Sequence, residues 1–281
     1  MRRLFRNTKY ARLGGHISFP ASVIEAFQWH TTELSAKLPV IDGGAAETRR
    51  SFRQNEVKAD TQMDQAQKKR NAAKASLEYI QDGYILGIGT GSTVNALIEL
   101  LPSVRNKIDA VVSSSVATTE KLEQLGFEVA TLNAVGDLDL YIDGADEATK
   151  HMHLIKGGGG ALTREKVLAG AARKFVCIID DSKLVGMLGR FPLPIEVIPM
   201  AQSFVSRRLV RMRGQPIWRE NFVTDNGNHI LDVHNLQITN PLELESRINQ
   251  IPGIVCVGIF ANRPADVLLI AEDSGVRTIG A

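Results

Sequence analysis

The sequence predicts an α/β protein with an open Rossmann-like sheet, helices on both faces of that sheet, and a small α+β lid domain. Between residues 84 and 179, short apolar runs alternate with segments of helical spacing, and the connections are short. After residue 190 the pattern changes to a hairpin signal and separate helices. Strands that alternate with helices favour a parallel sheet, whereas a hairpin joins antiparallel strands.

The elements of the alternating part follow one another along the chain. A helical stretch over residues 63–80 ends at a Gln-Asp-Gly turn. Apolar residues at 94, 97, 98 and 101 have the spacing of one helix face, and Pro102 ends that helix. The remaining predicted elements are strands at 84–88, 108–112, 127–131, 138–142 and 176–179 and helices at 117–125 and 163–175.

The part after residue 190 predicts the small domain. Asn226-Gly227 separates two apolar runs, residues 221–225 and 229–233, and this is a strong hairpin signal. We therefore predict a small α+β domain of residues 191–264 and a catalytic domain of residues 63–190 plus about 265–281. The other predicted elements of the small domain are strands at 195–198 and 254–260 and helices at 203–212 and 241–251.

Residues 1–62 differ from the rest of the chain. The first twenty residues contain five basic side chains and no acidic one, and residues 42–62 are polar with little apolar periodicity. Three interpretations stay open: a poorly ordered N-terminal extension, an organelle-targeting segment, and a functional arm or small accessory domain.

The overall composition excludes several classes of protein. Lys and Arg total 33 against 31 Asp and Glu, a net charge of +2, which argues against broad nucleic-acid binding. No run of about 18 uncharged apolar residues occurs, so no transmembrane helix is predicted. The two cysteines, Cys177 and Cys256, lie in apolar runs and are predicted to be buried thiols in a reducing compartment.

A glycine loop at residues 87–93 follows the first apolar run. Its backbone N–H groups and its Ser and Thr hydroxyls suit an oxyanion or a polar sugar. The loop lacks the lysine of a nucleotide-binding P-loop and the third glycine of a dinucleotide fingerprint. An ordinary tight turn between a strand and a helix would use the same glycines.

An acidic loop at residues 143–147 follows the run at 138–142. Its three acids could bind hydroxyls, a nearby lysine or a divalent metal, and metal is the weaker option because no histidine or further acid lies close by. A solvated turn that caps a helix would show the same composition.

A lysine and four glycines, residues 156–160, precede a predicted helix. Four consecutive glycines are costly to order and are tolerated where backbone approaches a ligand or moves. Thr163 is the predicted N-cap, which places Glu165 in the first helical turn as a candidate proton-transfer base. An ordinary helix-start acid would fit the same position. Lys183, in a loop after the run at 176–179, could point into the same crevice or lie on the surface.

Together these loops resemble the type A family of ribose-5-phosphate isomerases. The resemblance covers roughly residues 63–281 and does not cover residues 1–62. The segments that carry it are GIGTGST, SSSVATTEKLEQLG, YIDGADE, IKGGGGALTREK, DDSKLV, FPLPIEVIPMA and VTDNGN…LDVH.

The resemblance implies an aldose–ketose isomerase of the non-oxidative pentose phosphate pathway. It would interconvert D-ribose 5-phosphate and D-ribulose 5-phosphate through an enediolate, without a metal or an organic cofactor. A cytoplasmic location and a homodimer or homotetramer are also implied, with no nucleic-acid or membrane partner. Two alternatives stay open: a sugar-phosphate-sensing regulator, which would need a helix-turn-helix in residues 1–62, and a CoA transferase with Glu165 as nucleophile.

Matching the motifs residue by residue implies the site. Glu165 is the expected base, and Lys156 the donor to the developing oxyanion. Asp143 is expected to handle a hydroxyl or ring-oxygen proton, and Asp146 to orient the sugar or Lys156. The implied substrate-binding residues are Thr90, Gly91, Ser92, Thr93, Asp143, Gly144, Ala145, Asp146, Lys156, Gly157, Gly158, Gly159, Lys183 and Lys69.

Overall fold

The computed structural model describes residues 63–280, which belong to one compact unit. The interpretations given for residues 1–62 lie outside the described residues. The strands are β1 (Tyr84–Ile88), β2 (Ile108–Ser113), β3 (Leu138–Asp143), β4 (Glu147–Ala148), β5 (Leu154–Ile155), β6 (Ala172–Asp180), β7 (Leu193–Val197), β8 (Gln215–Trp218), β9 (His229–His234), β10 (Ile254–Val257), β11 (Ile259–Phe260), β12 (Val267–Glu272) and β13 (Gly275–Gly280).

The first helix begins at Gln65, two residues after the start of the described chain. Asp64 caps the first of them by accepting a hydrogen bond from the Gln67 N–H. The α-helices are α1 (Gln65–Ser76), α2 (Ser92–Leu100), α3 (Val116–Gln124), α4 (Leu132–Val135), α5 (Leu162–Ala171), α6 (Gln202–Arg211) and α7 (Pro241–Asn249). Short 3₁₀ helices lie at Leu77–Tyr79, Leu101–Lys107, Asp181–Lys183 and Pro199–Ala201.

A six-stranded sheet forms the centre of the fold, in the order β13–β12–β6–β3–β1–β2. Its strand pairs are parallel except β12 with β13. Apolar side chains pack on both faces: Ile142 and Leu97 belong to the core beneath α1, α2 and α3, whereas Tyr141 and Leu168 belong to the core on the α5 side. The predicted α/β class with helices on both faces is confirmed.

Two smaller antiparallel sheets complete the structure. The sheet β10–β7–β9–β8 packs on α6 and α7 and lies within the predicted small domain. In the sheet β11–β5–β4, β11 comes from the predicted small domain and pairs with β5, and β5 pairs with β4; β4 and β5 follow β3 in the chain. The predicted division at residues 191–264 stays a prediction, because residues 63–280 belong to one compact unit.

Three predicted elements are wrong in detail. The helix predicted at 163–175 ends at residue 171, because Ala172 already pairs with Leu138 of β3 and starts β6. The strand predicted at 127–131 is a single bridge from Val129 to Val111. The hairpin strand predicted at 221–225 is absent from the described residues. The turn at Gly227 forms, but β9 pairs with β8, and the ten residues 219–228 lie between these two strands.

The small sheet also corrects the strand predicted at 254–260. This segment divides at Gly258 into β10 and β11, which belong to different sheets. The Gly258 N–H donates to the Pro194 carbonyl at 2.8 Å, and its carbonyl accepts from the Lys156 N–H at 2.9 Å. A Cβ at Gly258 would overlap the carbonyls of Lys156 and Pro194, so glycine is required at this crossing.

Candidate active site

The cavity at the carboxyl edge of the main sheet lies where the strand order reverses. The chain runs from β1 outward to β2 and then returns to β3 on the other side of β1, so the loops after β1 and β3 part and leave a crevice. The cavity is open, and the empty space in it, together with the solvent space at its mouth, is about 530 Å³. Its lining consists of Lys69, Thr90, Gly91, Ser92, Thr93, Gly144, Ala145, Asp146, Lys156, Gly157, Gly158, Gly159, Glu165 and Lys183.

Every lining residue is one of the predicted site residues. The remaining predicted residue, Asp143, is fully buried and contacts the lining from behind. The structure therefore brings together residues from five separate segments of the chain. The loops after β1, β3 and β6 meet at one edge of the main sheet, as the rule for strand edges predicts, whereas Lys69 comes from α1 and the glycine-rich loop follows β5.

A buried lysine lies between two buried carboxylates. The Lys156 Nζ is 2.7 Å from the Asp143 Oδ2 and 3.4 Å from the Glu165 Oε2. It also donates to the Gly144 carbonyl at 2.6 Å. Burial alone would lower the pKa of Lys156, but the charges of Asp143 and Glu165 outweigh it and raise that pKa, so the ammonium keeps its proton.

Asp143 is held at the end of β3 by four donors. Its Oδ1 accepts from the N–H groups of Thr90 at 3.1 Å and Gly144 at 2.7 Å. Its Oδ2 accepts from Lys156 and from the Tyr141 hydroxyl. A Cβ at Gly89 would overlap the Asp143 carboxyl group, which explains why the loop after β1 needs a glycine there.

Glu165 lies in the first turn of α5, as predicted. The predicted N-cap, Thr163, is wrong, because the residue before the helix is Ala161. The Thr163 hydroxyl instead donates to the buried Glu196. Within residues 63–280 the Glu165 Oε2 has no hydrogen-bond partner, and its 3.4 Å approach to Lys156 is an ion-pair contact only. Burial raises the pKa of Glu165 to about 8, the charges of Asp143 and Asp146 add to this, and Lys156 opposes it.

Asp146 is in direct contact with the glycine-rich loop at the cavity wall. The Asp146 Oδ2 accepts from the Gly158 N–H at 2.8 Å, and a Cβ at Gly158 would overlap the same carboxylate. Burial raises the pKa of Asp146, while the Gly158 N–H and the charges of Lys156 and Lys183 oppose the shift. The glycine therefore allows the backbone to approach the carboxylate directly.

Another part of the cavity lining is suited to an anion. The N-terminus of α2 opens into it, preceded by Gly91 at φ +121°, and no side chain caps that helix. Lys69 from α1 and Lys183 from the 3₁₀ helix after β6 line the same space. Backbone N–H groups at a helix start and lysine ammonium groups are chemically suited to an anion such as a phosphate group.

Comparison with known proteins identifies the family. A model described as ribose 5-phosphate isomerase A (phosphoriboisomerase A) matches residues 110–275. Ribose 5 phosphate isomerase A from Neisseria gonorrhoeae is 46% identical, with a TM-score of 0.77 over 78% of this chain and 98% of that one. This chain belongs to the ribose 5-phosphate isomerase A family.

Two further structures of the family are similar over the same share of the chain. A D-ribose-5-phosphate isomerase in complex with phospho-erythronic acid is 35% identical, with a TM-score of 0.74 over 78% of this chain and all of that one. The enzyme from Methanocaldococcus jannaschii is 36% identical, with a TM-score of 0.73 and the same coverage. Membership of the ribose 5-phosphate isomerase A family makes the chain an aldose–ketose isomerase and does not favour the regulator or the CoA transferase.

Two of the site's supporting residues were missed by the sequence analysis of this isomerase. Tyr141 donates to Asp143 from two residues upstream, and burial together with the Asp143 charge raises the pKa of its hydroxyl, so it stays a donor. The i, i+2 spacing in a strand places both side chains on one face, a signal that could have identified it. Arg219, which contacts the carbonyls of Gly157 and Gly158, lies just after β8, far along the chain from these glycines, and no local sequence pattern indicates it.

Residues 63–280 show neither a metal-binding cluster nor a membrane-spanning helix. Within that range no group of three or more His, Cys, Asp or Glu side chains is placed to hold a metal ion. Asp143 and Glu165 instead have the Lys156 ammonium between them. No helix of that range combines the length and the apolar character needed to cross a membrane.

Proposed function

We propose that this chain interconverts D-ribose 5-phosphate and D-ribulose 5-phosphate through an enediolate. The observation that carries the proposal is the Glu165 carboxylate, whose Oε2 is buried, without a hydrogen-bond partner in the described chain, and at the wall of the cavity. A buried carboxyl group of raised pKa is suited to accept a proton from carbon, because it is not committed to another donor.

Glu165 transfers the proton between the two sugar carbons in this proposal. In the open-chain aldose it removes the proton from C2 and returns it to C1, while the electrons of the C2–H bond form the C1=C2 bond of the enediolate. The proton of the C2 hydroxyl passes to the C1 oxygen, so that the carbonyl group moves from C1 to C2. Negative charge then develops on the carbonyl oxygen. The Lys156 ammonium lines the same cavity 3.4 Å from Glu165, so it is placed to donate to that oxygen.

Asp143 and Asp146 support this chemistry from opposite sides. All four contacts of Asp143 are donors from the protein, which supports a role in fixing Lys156. Its predicted handling of the ring-oxygen proton stays a prediction. Asp146 lines the cavity and is placed to orient a sugar hydroxyl, while Lys69, Lys183 and the N-terminus of α2 bind the phosphate.

A coupled assay with ribose 5-phosphate tests the proposed function directly. We expect turnover to ribulose 5-phosphate that is unchanged by a chelator, because the scheme assigns every step to side chains. Loss of turnover on chelation would contradict the scheme, and no turnover at all would contradict the function. Salt-sensitive DNA binding without turnover would favour the regulator instead. A glutamyl thioester trapped at Glu165 would favour the CoA transferase.

The pH dependence follows from the raised pKa of Glu165. The base must be ionised to remove a proton, so kcat/KM is expected to fall about tenfold per unit as the pH drops below about 8 and to level off above it. The measurement is kcat/KM from pH 6 to 10 at constant ionic strength. A profile that is flat between pH 6 and 9 would mean that Glu165 is not the titrating base.

Removal of residues 1–62 is expected to leave the isomerase activity intact. Every residue assigned to the cavity lies between Lys69 and Lys183. The measurement compares kcat and KM of the full chain with those of a chain beginning at Met63. A shortened protein that is folded but inactive would show that the N-terminal segment takes part in function.

The assembly and the compartment are proposed from the family resemblance. A homodimer or homotetramer is supported by β8, an edge strand that leaves the apolar side chains of Ile217 and Trp218 exposed. Sedimentation at micromolar concentration tests this, and a monomer would contradict it. A cytoplasmic location is proposed likewise and is tested by fractionating cells that express the full chain.

A further inference from the structure

Arg219 is a charged residue that the proposed mechanism leaves unused. It follows β8, and its side chain is 19% exposed. Two parallel hydrogen bonds join it to Asp232 of β9, from Nε to Oδ2 at 2.8 Å and from Nη2 to Oδ1 at 2.6 Å. A guanidinium paired in this two-bond geometry is fixed in one plane.

The other edge of the Arg219 guanidinium reaches the glycine-rich loop of the cavity. Its Nη1 donates to the Gly158 carbonyl at 3.1 Å and to the Gly157 carbonyl at 3.3 Å. Its Nη2 also lies 3.4 Å from the Gly157 carbonyl. One side chain of the four-stranded sheet therefore bridges a carboxylate and two successive loop carbonyls.

Because the peptide unit is planar, these carbonyl contacts also fix the direction of the N–H group of the residue that follows each carbonyl. In a trans peptide unit the C=O and the N–H that follows it point in opposite directions. The Gly157 carbonyl points at Arg219, and the Gly158 N–H points the other way, at Asp146, 2.8 Å distant. The Gly158 carbonyl also points at Arg219, so the Gly159 N–H is directed away from it, on the side where Gly159 lines the cavity.

The glycine-rich loop needs such a constraint because its own glycine residues restrict the backbone conformation only weakly. Gly157 and Gly160 have φ of +106° and +82°, and successive glycines lose much conformational entropy when they are ordered. Phe222 supports the loop from the same segment as Arg219: a Cβ at Gly160 would overlap its ring. The segment 219–222 thus packs against this loop.

We propose that Arg219 is a positioning residue of the isomerase, one that holds the glycine-rich loop so that the N–H groups of Gly158 and Gly159 face Asp146 and the sugar phosphate. Arg219 itself does not touch the substrate. The kinetic part of this inference rests on the proposed function, whereas the contact with the loop does not.

The kinetic test uses Arg219→Met, Arg219→Lys and, as a matched control, Arg173→Met. Arg173 is 73% exposed, pairs with Asp139 and is remote from the lining residues. We expect Arg219→Met to lower kcat/KM by about 10- to 100-fold, the effect of a misplacement of about 1 Å, and mainly through KM. The pH profile of kcat/KM is expected to stay unchanged, because Arg219 contacts neither Glu165 nor Lys156.

The lysine variant separates positioning from charge. A single ammonium cannot pair with Asp232 by two bonds and also reach both carbonyls, so Arg219→Lys is expected to stay at least fivefold below the wild-type kcat/KM. Asp232→Asn is expected to produce a smaller loss of the same kind, and the loss in the double variant with Arg219→Met is expected to be less than additive. Full activity in Arg219→Lys would overturn the proposal.

Hydrogen exchange of the loop amides tests the contact without any turnover. We expect the amides of residues 157–160 to exchange at least tenfold faster in Arg219→Met than in the wild type and in Arg173→Met. Unchanged exchange and unchanged KM in Arg219→Met would together refute the positioning role. If the wild-type protein does not turn over ribose 5-phosphate, the proposed function fails, and the exchange rates alone decide whether Arg219 orders the loop.

Discussion

Replacement of Glu165 by glutamine is expected to lower kcat by about 10³-fold or more while ligand binding is kept. Glutamine has nearly the same shape, but its amide cannot accept the proton from C2, and a positioned base contributes about 10²- to 10⁴-fold. The measurements are kcat from the coupled assay and the affinity for phospho-erythronic acid, the ligand bound by a 35% identical relative. A near-normal kcat would remove Glu165 from the mechanism.

Stability provides the control for the Glu165→Gln variant. Because burial raises the pKa of Glu165 to about 8, the folded protein at pH 7 already favours the uncharged side chain, which glutamine imitates. The melting temperature is therefore expected to be equal or higher. Glu99→Gln, at an exposed carboxylate of α2, is the matched control and is expected to leave kcat unchanged. A large drop in melting temperature in Glu165→Gln would show that the ionised form stabilises the fold.

The cavity could be predicted from the sequence because its residues follow strand ends. Thr90 and Asp146 each come a few residues after an apolar run that forms a central strand. Parallel neighbouring strands bring their carboxyl ends to one edge of a sheet, so these loops were expected to converge if their strands are neighbours, and β1 and β3 are neighbours. Glu165 was predicted by a different signal, an acid in the first turn after a glycine-rich loop.

The contacts that support the cavity could not be predicted, because they join distant segments. Arg219 and Gly157 are separated by 62 residues and lie just after β8 and just after β5, and Glu196 joins Thr163 to a turn near Asn228. No local sequence pattern predicts contacts between residues so far apart in the chain. The same limit explains the incorrect hairpin strand: the Asn-Gly turn forms as predicted, but the partner of β9 is selected by tertiary packing and lies upstream, at β8.

The end of α5 shows how tertiary pairing overrides local spacing. Residues 163–175 have a helical pattern up to Phe175, yet the chain is extended from Ala172. From that residue onward β6 pairs with β3, and from Val176 onward it also pairs with β12. The backbone hydrogen bonds of this sheet outweigh the helix propensity of Ala172, Arg173 and Lys174, which is high.

Replacement of Lys156 by methionine is expected to lower kcat by about 10²- to 10³-fold. The variant loses the donor that faces the developing oxyanion, and loss of one such donor has this magnitude in other enzymes. It also removes the charge that lowers the pKa of Glu165, so that pKa is expected to rise further. The pH above which kcat/KM levels off should therefore move to the alkaline side of its wild-type value, which the same pH series measures.

A second variant separates the chemistry of Lys156 from its effect on stability. Asp143 is fully buried, and removal of its cation leaves a buried charge without a partner, which costs about 3–5 kcal/mol of unfolding free energy. In the double variant Lys156→Met, Asp143→Asn that charge is gone, so the melting temperature is expected to recover. The value of kcat is expected to stay low, because the oxyanion donor is still missing. Recovery of kcat along with stability would mean that Lys156 serves the fold and not the reaction.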